Sequence, residues 1–408
     1  MFNKFLLLVS LFVSFCFELS AEIKRVKIVS SLPRTGSSNA QTSTVVNGIR
    51  LALEEISGKV EGVEIVYEDL DDASPERGTW DPAIEAKNSD RAANDSEVVA
   101  YLGPYNSGAT KISMPKLNQA GLVQISMGAT YAGLTKPGFG EANEPEVYRS
   151  SGKINFFRVV PADDIQGAVG AKWAKEMGAS SVYILNDREL YGKGIADVFN
   201  KTALKDGIKV LGFEGIDPKA SNYRALATKI RALKPDLVFY GGITQTNAGQ
   251  LAKDLRAAGV KAKFLVPDGC FEQAFIQAAG KDSLNGNAYI TFGGVPAKLL
   301  PGKGQEFYTN YKKKYNSEPE GYAAYGYEAA KVVLNSLQKV LKSDNAKTLN
   351  LKSLRSALLH EVSQVKDYEG VLGIWSFDKN GDTTLTTMSG NTVESGDFKF
   401  VKLLDYSF

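Results

Sequence analysis

Short runs of β-branched and aromatic residues alternate with longer stretches of helical spacing along nearly the whole chain, and few folds accommodate that order. "RVKIVSSLP", from Arg25, is followed by "STVVNGIRLALEEISG", where Val46, Ile49, Leu53 and Ile56 recur at helical intervals. "VEIVYEDL" precedes a helical segment near Pro82, and "EVVAYLG" and "GLVQISM" continue the series. It resumes with "INFFRVV", "SSVYILND", "PDLVFYGG", "AKFLVPDG" and "NAYITFGG", each followed by a helix candidate. Strands so separated imply right-handed βαβ units and parallel sheets, an α/β fold. There are too many strands for one comfortable open sheet. The polar, Gly- and Pro-bearing segment "TKPGFGEANEPEVYRSSGK", 135–153, marks a break, and two lobes with a cleft between them are expected. After Tyr322 the chain turns helical and then ends in short strands, with a hairpin signal in "FDKNGDTTLT".

The 408 residues suffice for two full hydrophobic cores. A net charge of +2 gives no electrostatic case for a nucleic-acid partner, and "YKKKY" at 311–315 reads as a solvated helix face. The first 21 residues, with one Lys, an apolar run from Phe5 to Phe17 and small residues at Ser20 and Ala21, read as a secretory signal peptide. Cys16 raises lipid attachment, but bulky Phe15 stands where that processing wants a small residue. Removal of the leader leaves Cys270 alone, so the exported protein is expected to do without a disulfide.

Catalytic signatures are scarce. His360 is the lone histidine and is placed at a helix end; no GxSxG, Walker A or HExxH motif occurs, and thiol-based zinc ligation is excluded. "DKNGD" at 378–382 mimics the start of a calcium loop, but Ser389 stands where the bidentate Glu belongs, so a tight turn is the better reading. Neither a metal nor a cofactor is called for, and the chain reads as a binder and not an enzyme.

The informative residues follow the strands. "VVAYLGPYNSGATKIS" places Ser107 and Thr110 at the mouth of a helix, where Ser is either an N-cap or part of an anion seat. Gly128, Ala129 and Thr130 follow the next strand, and neighbouring βα loops would gather hydroxyls and backbone N–H groups at one spot. The second half offers acceptors. Asp163 and Asp164 follow "RVVP", Asp268 follows "FLVP", and Tyr191 lies past another strand end. Each Asp alone could be a helix cap; together with the hydroxyl seat they suit a zwitterionic amino acid.

In order and spacing, "SLPRTGSSNAQTSTVVNGIRLAL", "YLGPYNSGAT", "AGLVQISMGAT", "FRVVPADDIQG", "LYGKGIAD", "SNYRALATKIRALKPDLVFYGG", "AGQLAKDLRAAG" and "PDG" resemble the periplasmic solute-binding proteins of branched-chain amino-acid ABC transporters, the leucine/isoleucine/valine-binding type. The resemblance spans nearly the whole mature chain. It implies a type I periplasmic binding fold: two doubly wound parallel-sheet lobes joined by a multi-strand hinge. The expected organisation is a signal peptide over 1–21, lobe I over 24–158 plus 292–380, and lobe II over 159–291 plus 381–408.

It implies that Ser107, Thr130 and the Gly128 backbone hold a ligand α-carboxylate. Asp163 and Asp268 would then serve the α-ammonium, with Tyr191 and Tyr223 lining the pocket. It also implies a monomer, in the periplasm or at the cell surface, that delivers a small amino acid to the permease and ATPase subunits of an ABC transporter. Two departures stand out: the family's disulfide is absent, and "YGGITQTNAGQ" carries Thr244, Gln245, Thr246 and Asn247 where leucine-type binders place a Glu. The second keeps open an aliphatic amide, urea or small carboxylate as ligand, and a sensory module with the same fold is a further alternative.

Overall fold

The computed structural model describes residues 23–404 and 406; the expected leader and Cys16 lie outside them. The strands are β1 (Arg25–Leu32), β2 (Lys59–Val60), β3 (Val63–Asp71), β4 (Val98–Leu102), β5 (Val123–Ser126) and β6 (Phe156–Arg158) in a first sheet of order β2-β3-β1-β4-β5-β6. β7 (Ser181–Asn186), β8 (Lys209–Gly215), β9 (Leu237–Gly241), β10 (Lys263–Val266) and β11 (Ala288–Gly293) belong to the second sheet. β12 (Tyr368–Gly370) and β13 (Gly373–Trp375) form a separate hairpin, and β14 (Met388–Glu394) and β15 (Asp397–Leu404) complete the second sheet as β15-β14-β11-β10-β9-β7-β8. Central strands are parallel and buried on both faces, as "VVAYL" of β4 and "LVFYG" of β9 show.

The helices that matter for the site are α1 (Asn39–Glu54), α2 (Pro82–Asn94), α3 (Ser107–Gln119), α4 (Asp163–Glu176) and α5 (Leu190–Lys205). α6 (Arg224–Leu233), α7 (Ala248–Ala257), α8 (Gln273–Ala279) and α9 (Lys281–Leu284) flank the second sheet. α10 (Lys303–Tyr315), α11 (Ala323–Lys342) and α12 (Leu351–Ser363) return to the first lobe, where α11 lies along α1. Gly48 and Gly326 permit that approach: a Cβ on Gly48 would stand 2.2 Å from the Ala323 carbonyl oxygen, and one on Gly326 2.5 Å from that of Val45. No helix among the described residues is long and apolar enough to cross a membrane. His360 is exposed in the last turn of α12.

The chain passes between the lobes three times, after β6, after β11 and between β13 and β14. The polar segment 135–153 is not itself a crossing, because β6 still pairs with β5 beyond it. The "DKNGD" turn is the tight turn expected, with the Asp378 N–H donating to the Asp382 carbonyl at 2.7 Å and the Gly381 N–H to that of Asp378 at 3.1 Å. Asp378 accepts the N–H groups of Asn380 and Asp382 at 2.8 and 2.9 Å, and the flanks join only through one bridge, Phe377 to Thr383. The long terminal hairpin is β14–β15, turning at Ser395 and Gly396 with φ of 56° and 90°, the primed turn that matches strand twist.

Asp382 instead meets Arg158, which is completely buried. Arg158 Nε donates to Asp382 Oδ1 at 2.7 Å, Nη1 to the carbonyls of Ala129 and Tyr131 at 3.0 and 2.9 Å, and Nη2 to the Thr135 hydroxyl. Backbone bonds from Arg158 N–H to Gly381 and from Thr383 N–H to Arg158 seat the third crossover against β6.

Arg158→Met should lower stability by about 3–5 kcal/mol, because buried Asp382 loses its guanidinium partner and keeps only the Thr135 hydroxyl at 3.0 Å and Lys136 at 3.6 Å, and adding Asp382→Leu should restore much of it. Denaturant midpoints of the two variants check this. Gly48→Ala should cost about 1–3 kcal/mol by forcing α1 from α11, read as a lower melting temperature without loss of cooperativity.

Candidate functional site

The first wall of the cleft is built from two loops of the first lobe. After β4 the chain runs through Gly103 to Asn106 and enters α3 at Ser107; after β5 it runs through Gly128 to Thr130. Ser126 binds the two together, donating to the Pro104 carbonyl at 2.7 Å and accepting the N–H groups of Gly128 and Ala129 at 3.2 and 2.9 Å. Gly128 has no room for a side chain, since a Cβ there would lie 2.6 Å from the Tyr105 ring.

Ser107 is not the N-cap of α3. Asn106 holds that position and its side chain caps nothing, while Ser107 Oγ accepts the Tyr131 N–H at 3.2 Å and keeps its own proton to donate. Thr110 turns its hydroxyl back onto the Asn106 carbonyl at 3.1 Å, a bond within the helix. The first-turn N–H groups of α3 therefore face the cleft without a side-chain cap.

The second wall is acidic. Asp163 opens α4, its N–H donating to the Thr130 carbonyl at 2.9 Å, which joins the first-lobe loop to a second-lobe helix. Its carboxylate is buried, and neither oxygen has a hydrogen-bond partner among the described residues; nor does the Thr130 hydroxyl. Asp268, also buried, accepts the Tyr191 hydroxyl at 2.5 Å and that of Tyr322 on its other oxygen. Neither Asp caps a helix.

Burial pushes the Asp163 carboxyl well above the usual range, and the charge of Asp268 adds to it against the opposing pull of Thr130 and Arg158. Burial raises Asp268 too, opposed by the Tyr191 and Tyr322 hydroxyls. Asp164 is different in kind: Lys136 neutralises it at 2.7 Å.

The lobes are closed on one another. Arg77 reaches Glu189 at 3.5 Å, Gln245 Nε2 donates to the Ser37 carbonyl at 3.4 Å, and the Tyr131 ring lies where a Cβ on Gly194 would stand, 2.5 Å away. Between them remains a cavity of about 20 Å³, lined by Tyr105, Asn106, Ser107 and Gly128 from one side. Tyr191, Ile243, Asp268 and Gly269 line the other, with Tyr322 between. That is room for about one water, so an amino acid enters only as the walls part. A roomier depression of about 480 Å³ beside Phe139 and Tyr406 contains none of the seven site residues expected from sequence.

Six of those seven thus meet around the cleft: Ser107, Gly128, Tyr191 and Asp268 on the cavity, Thr130 and Asp163 just beneath it. Tyr223 does not join them. Its hydroxyl donates to the Asp217 carbonyl at 2.7 Å and accepts from Asn247 at 3.1 Å, at the head of α6. The residues 244–247 also divide. Thr246 donates to buried Asp187 at 2.8 Å, while Gln245 donates to Glu272 at 2.8 Å. Sequence reasoning passed over Tyr105 and Tyr322. The first stands two residues before Ser107 directly after a strand and was findable; the second stands at the head of α11, far along the chain, with no local signal.

No group of acidic, His or Cys side chains among the described residues could hold a metal ion. The site offers hydrogen-bond donors at one end and carboxylates at the other, a complement to a small molecule carrying both charges.

Known proteins resemble this chain in sequence and fold. Over 357 residues the chain is 27% identical to an amino acid binding protein of Pseudomonas aeruginosa, covering 86% of this chain and 85% of that one. It is 26% identical over 357 residues to the Leu/Ile/Val-binding protein homolog 1 of Brucella abortus, covering 87% and 86%. The fold superposes with a TM-score of 0.78 and 26% identity on the branched-chain amino acid transporter substrate binding protein LivJ from Streptococcus pneumoniae in complex with isoleucine, covering 93% of this chain and 100% of that one. Residues 25–397 match the family described as periplasmic binding protein, and the chain belongs to that family.

Proposed function

We propose that this protein is the extracytoplasmic substrate-binding component of an ABC importer, a binder and not an enzyme, which closes its lobes around a small amino acid and presents it to permease and ATPase subunits. Relatives named for leucine, isoleucine and valine point to the branched-chain class. One observation carries the reading: Asp163 is a buried carboxylate with both oxygens unpartnered beside a second buried carboxylate, across from the uncapped start of α3. Two acids so placed ionise together only with a cation beside them, and an α-ammonium supplies one.

The α-carboxylate is assigned to Ser107, the first turn of α3 and the backbone around Gly128, with Thr130 beneath. The α-ammonium is assigned to Asp163 and Asp268, with Tyr191 orienting the latter. Ligand that contacts both walls favours the closed state by its differential affinity.

The test is thermal unfolding of the mature protein, unfolded and refolded to strip bound ligand, with common amino acids and with leucine analogues lacking either the amino or the carboxyl group. A saturating ligand at a thousand times its Kd stabilises by about 4 kcal/mol, a shift of several degrees. Stabilisation by amino acids and not by the analogues is expected; the reverse overturns the assignment. Ser107→Ala and Asp268→Ala should each lose a charge-assisted bond of about 1.5–3 kcal/mol, roughly 10- to 150-fold in Kd by calorimetry.

A pH dependence follows from the raised carboxyls. The ammonium favours their ionised form, so binding releases protons and affinity rises from acid towards neutral pH. Calorimetry in buffers of different ionisation enthalpy measures that release directly.

A further inference from the structure

Beyond the charged ends of the cleft, the lobes bring together polar groups that neither seat uses. Tyr105 spans the two regions: its ring lines the cavity, and its hydroxyl donates to Gln41 Oε1 at 2.5 Å. Gln41 lies on α1, 2% exposed, and its Nε2 has no partner among the described residues. Turning the amide over only exchanges which of its atoms is left unpaired. Ser38, at the head of the same helix and equally buried, caps nothing, and its hydroxyl is likewise unpartnered.

The opposite lobe contributes Glu272, 1% exposed. Its Oε1 accepts from Gln245, and its Oε2 has no partner among the described residues. The charge of Glu272 bears on the Tyr105 hydroxyl, the group that donates to Gln41. Gln245 links this cluster to the first lobe through the Ser37 carbonyl. The spare acceptor on Glu272 is thus linked through Gln245 to the Ser37 carbonyl of the other lobe, next to the unpartnered Ser38 hydroxyl and one helical turn from the spare donor on Gln41.

We propose that this cluster is the seat for the far end of the ligand's side chain. It extends the amino acids bound beyond aliphatic ones to those with a primary carboxamide, asparagine and glutamine. The carboxamide oxygen accepts from Gln41 Nε2 and its NH₂ group donates to Glu272 Oε2. An aliphatic side chain at the same place leaves both groups dry and unpaired, whereas a carboxamide satisfies them, and sites built to hydrogen-bond discriminate far more steeply than apolar pockets do. This proposal rests on the amino-acid reading of the cleft.

Leucine and asparagine test it, because their side chains share one branching pattern and nearly one size. Calorimetric titration of the stripped wild-type protein with leucine, isoleucine, valine, asparagine and glutamine is expected to show a carboxamide amino acid binding at least as tightly as leucine. Gln41→Met and Glu272→Met should each weaken carboxamide binding by about tenfold or more and leave leucine binding no weaker. Wild-type leucine binding tighter than both asparagine and glutamine overturns the side-chain seat and leaves the amino-acid function standing. A cooperatively folded wild-type protein that binds no amino acid overturns both. The wild-type ranking decides the matter even if a variant fails to fold.

Discussion

The buried ion pair of Arg158 and Asp382 is the point on which the rest of the structure depends. Arg158 closes β6, the last strand of the first sheet; Asp382 belongs to the final crossover; and the same guanidinium holds the carbonyls of Ala129 and Tyr131. Those carbonyls bracket Thr130, whose own carbonyl receives the Asp163 N–H. One side chain thus fixes the edge of a sheet, the register of a hinge segment and the loop that carries part of the ligand site. Buried ion pairs are poor sources of net stability, since desolvation offsets the attraction. Here the pair's value lies in placement: one guanidinium ties residue 382 to residues 129 and 131.

The cleft is stressed by design when closed. Asp163 and Asp268 feel each other's charge in a dry place, with the Thr130 hydroxyl to relieve the first and those of Tyr191 and Tyr322 the second. Closing without a cation therefore requires a carboxyl to hold its proton, while closing over an ammonium does not. Ligand occupancy and lobe closure are coupled through that difference in desolvation and not through any latch, since the exposed Arg77–Glu189 pair is of the kind that contributes little.

How far this could be read from sequence depended on whether the signal was local. The strand–helix alternation is a local pattern, and it placed the sheets and the loops after "VVAYLG" and "VQISM" because a parallel strand must be followed by a turn into a helix. Asp163, Asp268 and Tyr191 were legible for the same reason. Tyr223 looked equivalent in sequence, yet its hydroxyl finds partners within its own turn. Tyr322 reaches the cavity through long-range packing that leaves no trace in spacing. The terminal hairpin escaped notice because Ser395-Gly396 is a less familiar turn than Asn380-Gly381, whose flanks pair only briefly at Phe377 and Thr383.

The three crossings between the lobes have a mechanical consequence. A single connecting strand would leave each lobe free to swivel, whereas three strands side by side, one of them pinned by Arg158, suppress twisting and sliding and leave bending as the soft mode. The motion of the molecule then reduces to one coordinate, the angle between two rigid bodies. Any surface that touches both lobes, such as the mouth of a membrane transporter, can read the state of a pocket it never contacts from the spacing of two points on the outside.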